Sequence, residues 1–184
     1  MEKILCLIPA KGNSSRLQKK NLLEVGGKSL LQRAVERALS TNLFETIVVS
    51  TEDREVAKKA RSLGALVNGL RPEKLSKDPA TIADVLIYEL KQLIKSGRKF
   101  ETVFVTLPTS PFVKVSSIHS AYERFRRFNG QTVISVSEAT KPPYNAFIQS
   151  DEEIFPAFPN SQYKFTKSTE CPKTFFSSGG ILFT

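Results

Sequence analysis

The sequence predicts a three-layer α/β fold built around a mostly parallel sheet, and three observations support that prediction. Short apolar runs alternate along the chain with longer segments whose apolar residues recur at helical spacing. The first run, at 4–10, is apolar throughout, as expected for a strand that is covered on both faces. The connections between these segments are short, so we expect right-handed crossovers between neighbouring strands.

The individual elements follow from local patterns after that first strand. Apolar stripes predict the helices, and short apolar runs predict the strands. Gly64 follows the second helix directly, at the position where glycine commonly ends one. In chain order, we predict a helix at 28–40, a strand at 46–50, a helix at 53–63, a strand at 65–67, a helix at 81–95, a strand at 102–107, a helix at 116–128, and strands at 132–136 and 179–183.

The pattern weakens after residue 138, where the chain becomes rich in proline and aromatic residues. Six phenylalanines fall in this stretch: Phe147, Phe155, Phe158, Phe165, Phe175 and Phe176. Aromatic side chains on irregular structure are typical of a partner interface, so we predict a small dimerisation arm at about 140–176. A loop packed on its own core is the alternative. We expect a single domain over 1–184 and, because the sequence stops at Thr184 in mid-strand, a chain that lacks its C-terminal part.

Composition narrows the class of protein. At 184 residues with 40% hydrophobic content, the chain can bury a full core. It has no run of about 18 apolar residues and no signal-peptide pattern, so we expect a cytoplasmic protein without a membrane contact. Cys6 and Cys171 lie far apart and His119 is alone, which argues against a histidine-based triad or metal cluster.

The net charge of +9 would suit a nucleic-acid-binding protein. The cations are spread along the chain, however, and most fall at helix ends or on exposed helix faces. Only one cluster directly follows a strand. We therefore expect a small anionic substrate rather than a nucleic acid.

That cluster is the loop after the first strand, which carries Lys11, Arg16, Lys19 and Lys20 among small residues. In open α/β sheets, ligands bind beyond the carboxyl ends of the strands. Small residues let backbone N–H groups approach an anion, and lysine adds a mobile positive charge. The loop therefore predicts a site for a nucleotide triphosphate or a similar polyanion, with a solvated basic loop as the alternative. It matches neither the phosphate-loop nor the dinucleotide fingerprint.

Several segments in the right order resemble one family. Residues 8–22 are similar to the signature of the acylneuraminate cytidylyltransferases, or CMP-sialic acid synthetases. Residues 70–80 are similar to that family's R-P-x-x-L-x-x-D-x-A segment, and 108–111 to its P-T-S-P segment, with further matches at 24–31 and 49–53. The chain is identified as a divergent member, with the Rossmann-like fold of the nucleotide-diphospho-sugar transferases. The 14–17 segment also looks like enzymes that activate the eight-carbon sugar acid of lipopolysaccharide.

The resemblance implies transfer of CMP from CTP to a nine-carbon acidic sugar of the sialic, legionaminic or pseudaminic type, with release of pyrophosphate. It also implies Mg²⁺ as a cofactor, a homodimer, and a role in surface-polysaccharide synthesis. Lys20 and Lys11 are the expected catalytic residues, and Thr109 and Ser110 the expected sugar-binding residues. The expected nucleotide-binding residues are Ala10, Lys11, Gly12, Asn13, Ser14, Arg16, Lys20, Asn21, Arg71, Asp78 and Ala80. For Arg71, a salt bridge that holds its loop is the alternative role.

Several positions depart from the family's pattern. The residues that differ are Ile82, Leu107, Val113, Ser168 and Ser178. The family's metal-binding aspartates would fall after Thr184, so we expect no metal ligand in this chain. These departures leave three alternatives open: a catalytically impaired nucleotide-binding homologue, an enzyme for a Kdo-like eight-carbon sugar acid, and an unrelated basic α/β binding protein.

Overall fold

A computed structural model describes residues 2–14 and 17–184. The chain divides into two compact units, one that runs to Ser135 and resumes at Gly179–Thr184, and one at Val136–Ser178. The predicted arm at about 140–176 lies within the second unit.

The first unit is built on a five-stranded sheet in the order β4-β1-β5-β9-β6. Its strands are β1 (Ile4–Pro9), β4 (Thr46–Ser50), β5 (Thr102–Val105), β6 (Val133–Glu138) and β9 (Phe175–Phe183). β1 pairs in parallel with both β4 and β5, so that Leu7 lies between Val48 and Val105. β9 pairs antiparallel with β5. The predicted α/β fold with a mostly parallel sheet is confirmed.

Helices cover both faces of this sheet. They are α1 (Leu30–Ser40), α2 (Arg54–Ser62), α3 (Ile82–Lys95) and α4 (Val115–Arg127). Side chains at alternate positions of β1 point to opposite faces. Cys6 and Ile8 join a core cluster with residues of α1, α2 and α4, whereas Leu5 and Leu7 join a second cluster with residues of α3. These are the three predicted layers, and they explain why β1 is apolar throughout.

The helices begin where the sequence supplies caps. Ser29 accepts a hydrogen bond from the Gln32 N–H at 3.1 Å, and Thr81 forms a reciprocal capping box with Asp84. Asp53 caps α2 by accepting from the N–H groups of Glu55 and Val56. The predicted helix boundaries are therefore correct to within two residues.

Three predicted boundaries need correction. The last strand begins at Phe175 rather than 179, so Phe175 and Phe176 lie in β9 and not in irregular structure. The first helix begins at Leu30 rather than 28, because Lys28 and Ser29 form β3, which pairs with β2 (Glu24–Val25) in a small hairpin. The strand predicted at 65–67 is reduced to a single parallel bridge between Leu66 and Val48. No described helix is long and apolar enough to span a membrane.

The second unit contains a β-hairpin that the sequence did not predict. β7 (Phe147–Ser150) pairs antiparallel with β8 (Glu153–Pro156), so that Ile148 faces Phe155. The phenylalanines of the predicted arm are all exposed, with 57% of Phe147 and 76% of Phe165 accessible to solvent. The alternative of a loop packed on its own core is therefore wrong for these side chains.

Candidate functional site

The candidate site is a cleft beyond the carboxyl ends of β1 and β5 in the first unit. A cavity of about 230 Å³ lies there. It is lined by Pro9, Lys11, Lys20, Asn21, Arg71, Leu75, Ser76, Lys77, Asp78, Ala80, Thr81, Ile82, Val85, Leu107, Pro108 and Thr109. A second cavity, of about 470 Å³, shares Lys11, Ser76, Lys77 and Asp78 with the first. This is the edge at which open α/β sheets bind ligands.

Most of the predicted site residues are brought together here. Those that line the first cavity are Lys11, Lys20, Asn21, Arg71, Asp78, Ala80 and Thr109, and the second adds Asn13 and Ser14. The structure does not bring Ala10, Gly12 or Ser110 to the lining of either cavity. Ala10 is fully buried and its N–H donates to the Ser50 carbonyl at 2.9 Å. Arg16 lies outside the described residues.

Sequence reasoning passed over a cation and a hydroxyl in the same cleft. Lys77 lines both cavities, and so does Ser76. Both stand between Arg71 and Ala80, inside the segment that the resemblance had already placed at the nucleotide, and that position was the available signal. Lys77 also pairs with Glu73 at 2.8 Å on the surface.

Asn21 connects the backbone at Lys11 with the turn that contains Lys20, the two lysines expected to act on phosphate. It lies in a 3₁₀ turn at Lys20–Leu22, and only 3% of it is exposed. Its amide nitrogen donates to the Lys11 carbonyl at 2.8 Å, while its buried Oδ1 has no hydrogen-bond partner among the described residues. Asn21 therefore fixes the backbone at Lys11 relative to the turn that carries Lys20.

Glu52 is the best-connected carboxylate at the cleft. Its Oε1 accepts from the N–H groups of Gly12 at 2.8 Å and Asn13 at 3.2 Å. Its Oε2 accepts from the Ser76 hydroxyl at 2.7 Å and from Nη2 of Arg71 at 3.1 Å. The neighbouring Asp53 caps α2, whereas Glu52 contacts two loops instead of the helix.

These contacts set the protonation state of Glu52. Burial alone raises the pKa of the carboxyl, but the hydrogen bonds from Ser76 and from the Asn13 backbone, with the charge of Arg71, outweigh it. The net effect is a pKa below the ordinary value for glutamate. Glu52 is therefore an anion that serves as acceptor for every donor around it.

Arg71 is held on several sides and is only 4% exposed. Besides the ion pair with Glu52, its Nε donates to the Ser76 hydroxyl at 2.8 Å and its Nη1 to the Ser50 carbonyl at 3.4 Å. Burial lowers the pKa of the guanidinium, and the charge of Glu52 opposes that effect. The alternative role predicted for Arg71, a salt bridge that holds its loop, is thus observed, and the residue also lines the cavity.

Apolar side chains also line the cleft. Ile82, Val85 and Leu107 contribute apolar surface there, together with the Thr109 hydroxyl. Leu107 and Ile82 are two of the positions that depart from the family's pattern. The same cleft offers ammonium groups from Lys11 and Lys20 and an amide from Asn21.

The cleft has a positive balance of charge that suits an anion. Lys11, Lys20 and Lys77 line it, against the carboxylate of Asp78. Within the described ranges, no three histidine, cysteine or acidic side chains lie close enough together to form a metal site.

A three-layer α/β domain with a cationic cleft beyond its strand ends defines a class of nucleotide-binding proteins. Comparison with known families makes the assignment specific. The family described as "Cytidylyltransferase" matches residues 5–153, and the chain belongs to that family. The alternative of an unrelated basic α/β binding protein is thereby wrong.

Similar curated proteins carry sugar-acid names. A pseudaminic acid cytidylyltransferase from Campylobacter jejuni is 28% identical over 181 residues, which cover 98% of this chain and 78% of that protein. A CMP-N,N'-diacetyllegionaminic acid synthase from Legionella pneumophila is 36% identical over 141 residues, covering 77% of this chain and 60% of that protein.

Solved structures agree on the fold. CMP:2-keto-3-deoxy-manno-octonic acid synthetase, in complex with CTP, superposes with a TM-score of 0.70 at 17% identity, covering 99% of this chain and 73% of that one. A 4-diphosphocytidyl-2C-methyl-D-erythritol synthase superposes with a TM-score of 0.66 at 14% identity, covering 99% of this chain and 75% of the other.

Proposed function

We propose that this chain transfers CMP from CTP to a nine-carbon acidic sugar and releases pyrophosphate. The observation that carries the proposal is the convergence of Lys11, Lys20 and Asn21 at the carboxyl end of β1, in a member of the cytidylyltransferase family. The names of the similar proteins favour sugar acids of the pseudaminic and legionaminic type as the acceptor.

The reaction needs positioning and positive charge more than covalent participation by the protein. A sugar hydroxyl oxygen attacks the α-phosphorus of CTP, a new P–O bond forms, and the bond to the bridging oxygen breaks as pyrophosphate leaves. The hydroxyl proton is released to the solvent. Negative charge accumulates on the phosphoryl oxygens during this step. Ammonium groups held at fixed positions stabilise that charge, which is the role we assign to Lys11 and Lys20.

The two ends of the cleft divide the substrates between them. The triphosphate lies against the cationic end, and the cytosine meets the wall that carries Arg71, Asp78 and Ala80. The sugar acid lies toward Thr109, where a hydroxyl is available. We infer that the attacking sugar hydroxyl lies next to the α-phosphate of CTP, opposite the leaving pyrophosphate oxygen, because an in-line displacement requires that geometry.

Mg²⁺ is part of the proposal as a cofactor. The ion usually binds through substrate phosphates and only one or two protein carboxylates. In that case the triphosphate of CTP would supply most of the ligands. When bound with the triphosphate, the ion would neutralise part of the charge on the phosphates.

A second candidate is a homologue that binds the nucleotide but has lost turnover. The apolar side chain of Leu107 in the cleft favours it, because this side chain cannot hydrogen-bond a polyhydroxylated acceptor. A Kdo-like eight-carbon sugar acid remains the alternative acceptor for an active enzyme, and the solved synthetase structure agrees with this only at the level of fold.

One assay separates these candidates. Pyrophosphate release is measured with CTP, Mg²⁺ and a panel of sialic, legionaminic, pseudaminic and Kdo-type acids, and CTP binding is measured in parallel by calorimetry. We expect turnover with at least one nine-carbon acid. CTP binding without turnover would favour the impaired homologue, and no CTP binding would contradict the proposal.

We further propose a homodimer formed through the second unit, in the cytoplasm. The supporting observation is the set of exposed apolar side chains on β7 and β8: Phe147, Ile148, Ile154 and Phe155. A hairpin of two strands is marginal in water without another surface to pack on. A second copy of the chain is the partner that this family resemblance implies.

A further inference from the structure

The carboxylate of Glu52 links the two walls of the cleft. One wall is the loop after β1, which Glu52 contacts through the N–H groups of Gly12 and Asn13. The other is the segment after Arg71, which Glu52 contacts through Arg71 and Ser76. Each oxygen serves one wall. No other described carboxylate hydrogen-bonds to both segments.

We propose that Glu52 is a positioning residue that sets the distance between the phosphate end and the base end of the cleft. The proposal rests on the function assigned above, in which CTP spans both walls. Glu52 does not line either cavity, so it acts on the nucleotide through the backbone of the loop and through Arg71.

The chemistry of the four contacts shows why a glutamate is needed. All four partners are donors: two backbone N–H groups, a hydroxyl and a guanidinium. A glutamine has one accepting oxygen and one donating nitrogen, so it can satisfy one wall only, whichever way its amide is turned. An aspartate keeps both oxygens but is one methylene shorter, so it cannot reach both walls from the same backbone position.

A second contact reinforces this link. The Ser76 hydroxyl donates to Glu52 at 2.7 Å and accepts from Nε of Arg71 at 2.8 Å. Glu52, Arg71 and Ser76 thus form a closed set of hydrogen bonds, and the side chain of Glu52 is only 12% exposed. A linkage of this kind limits the relative movement of the two walls more than a single surface ion pair would.

Loss of a positioning residue should affect ligands differently according to how many walls they contact, whereas a general loss of stability should not. A ligand that spans two preorganised subsites gains affinity because its second contact is intramolecular. Freeing one wall should therefore weaken CTP much more than it weakens fragments that contact one wall. Tripolyphosphate is the fragment for the loop after β1, and cytidine is the fragment for the segment after Arg71.

The experiment compares these three ligands in the full chain with Glu52→Gln. Affinities are measured by calorimetry for CTP and by NMR titration at millimolar concentration for the fragments. We expect CTP to weaken about tenfold or more, and each fragment by less than about threefold. Amide exchange at Gly12 and Asn13 should become faster in the same variant.

The matched control is Glu55→Gln, which removes a carboxylate that pairs with Lys19 of the same loop on the exposed surface. All three affinities should stay within about twofold of the wild type, because exposed pairs contribute little. If Glu52→Gln does not fold, Ser76→Ala replaces it, since this variant keeps the ion pair and both backbone contacts. It should weaken CTP about threefold relative to tripolyphosphate.

The outcomes separate the two proposals. Equal weakening of all three ligands in Glu52→Gln, or an unchanged CTP affinity, would overturn the positioning role while the proposed function stands. If Ser76→Ala is the variant used, an unchanged ratio of CTP affinity to tripolyphosphate affinity would also overturn the positioning role. A wild-type chain that binds none of the three ligands would overturn the proposed function, and the positioning role with it.

Discussion

Gly12→Ala tests the geometry of the loop after β1 directly. Gly12 is buried, and a Cβ added there would lie 2.5 Å from Oδ2 and 2.7 Å from Cγ of Asp53. Real carbon atoms do not approach so closely, so either Asp53 or the loop must move. Asp53 is the cap of α2, with its Oδ1 at 2.7 Å from the Glu55 nitrogen. If Asp53 moves, the cap is lost; if the loop moves, the Gly12 contact with Glu52 is lost.

The cost can be worked from these contacts. Loss of a helix cap costs about 1 kcal/mol, and overpacking a buried position costs about 1–3 kcal/mol. We expect a total of about 2–4 kcal/mol, which for a chain of this size lowers Tm by about 5–15 °C. Thermal and urea unfolding of Gly12→Ala measure it, at one fixed protein concentration because association would shift the midpoint.

The second variant identifies the cause. Asp53→Gly removes the side chain that the new methyl group would meet, and glycine is a tolerated cap, so this change alone should cost only a few tenths of a kcal/mol relative to a polar cap. In the double variant, Gly12→Ala should then cost about 1 kcal/mol less than it does alone. Strictly additive effects would refute the reasoning, because the clash would not be the source of the loss.

Three further predictions follow from the site. Lys20→Ala should lower kcat/KM for CTP by about a hundredfold or more, since a fixed cation at a phosphoryl centre is worth on the order of 3 kcal/mol; Lys28→Ala, on the exposed hairpin, should change it less than twofold. Glu52 has a lowered pKa in the folded state, so the stability gap between wild type and Glu52→Gln should be full above about pH 5 and shrink as the pH falls below 4.5; a gap independent of pH would contradict that assignment. Phe147→Glu should convert the dimer to a monomer, as measured by light scattering, and the monomeric variant should keep the Tm of the wild-type monomer. A wild-type protein that is monomeric at high micromolar concentration would contradict the predicted arm.

Local pattern was sufficient for the sheet and the helices, for physical reasons. β1 is apolar throughout, as a strand covered on both faces requires, and β4 is fully buried with apolar residues at 47–49. The starts of α2 and α3 could be predicted because Asp53 and Thr81 cap backbone N–H groups within three residues of themselves. The predicted start of the first helix was wrong because strand pairing across a turn determines it, at Lys28 and Ser29.

Burial within one helix was harder to predict. In α1 the apolar Leu39 is 45% exposed, whereas the charged Arg37 is only 7% exposed. Arg37 lies between α1 and the segment after β5, where its guanidinium donates to the Thr106 hydroxyl and the Pro111 carbonyl, each at 3.4 Å. Periodicity treats every arginine as an outward residue, so a buried one that depends on distant acceptors gives no local signal.

In the candidate site, too, residues with local signals could be predicted and residues that depend on distant partners could not. Lys11, Lys20 and Asn21 could be predicted because a strand end, small residues and cations stand together in sequence. Glu52 could not, since its partners lie about 20 and 40 residues away in opposite directions, and only the fold brings them to one carboxylate.

The mix of charged and apolar groups in the cleft bears on specificity. Lys11, Lys20 and Asn21 offer two positive charges and an amide, so a triphosphate can be selected strongly. Leu107 and Ile82 add apolar surface to the same cleft rather than hydrogen-bonding groups. Apolar contacts discriminate poorly between similar polar acceptors, whereas a buried group that must be hydrogen-bonded rejects the wrong acceptor by several orders of magnitude. The nucleotide preference of this chain should therefore be sharper than its preference among sugar acids, and residues other than these two must supply any strict choice of acceptor.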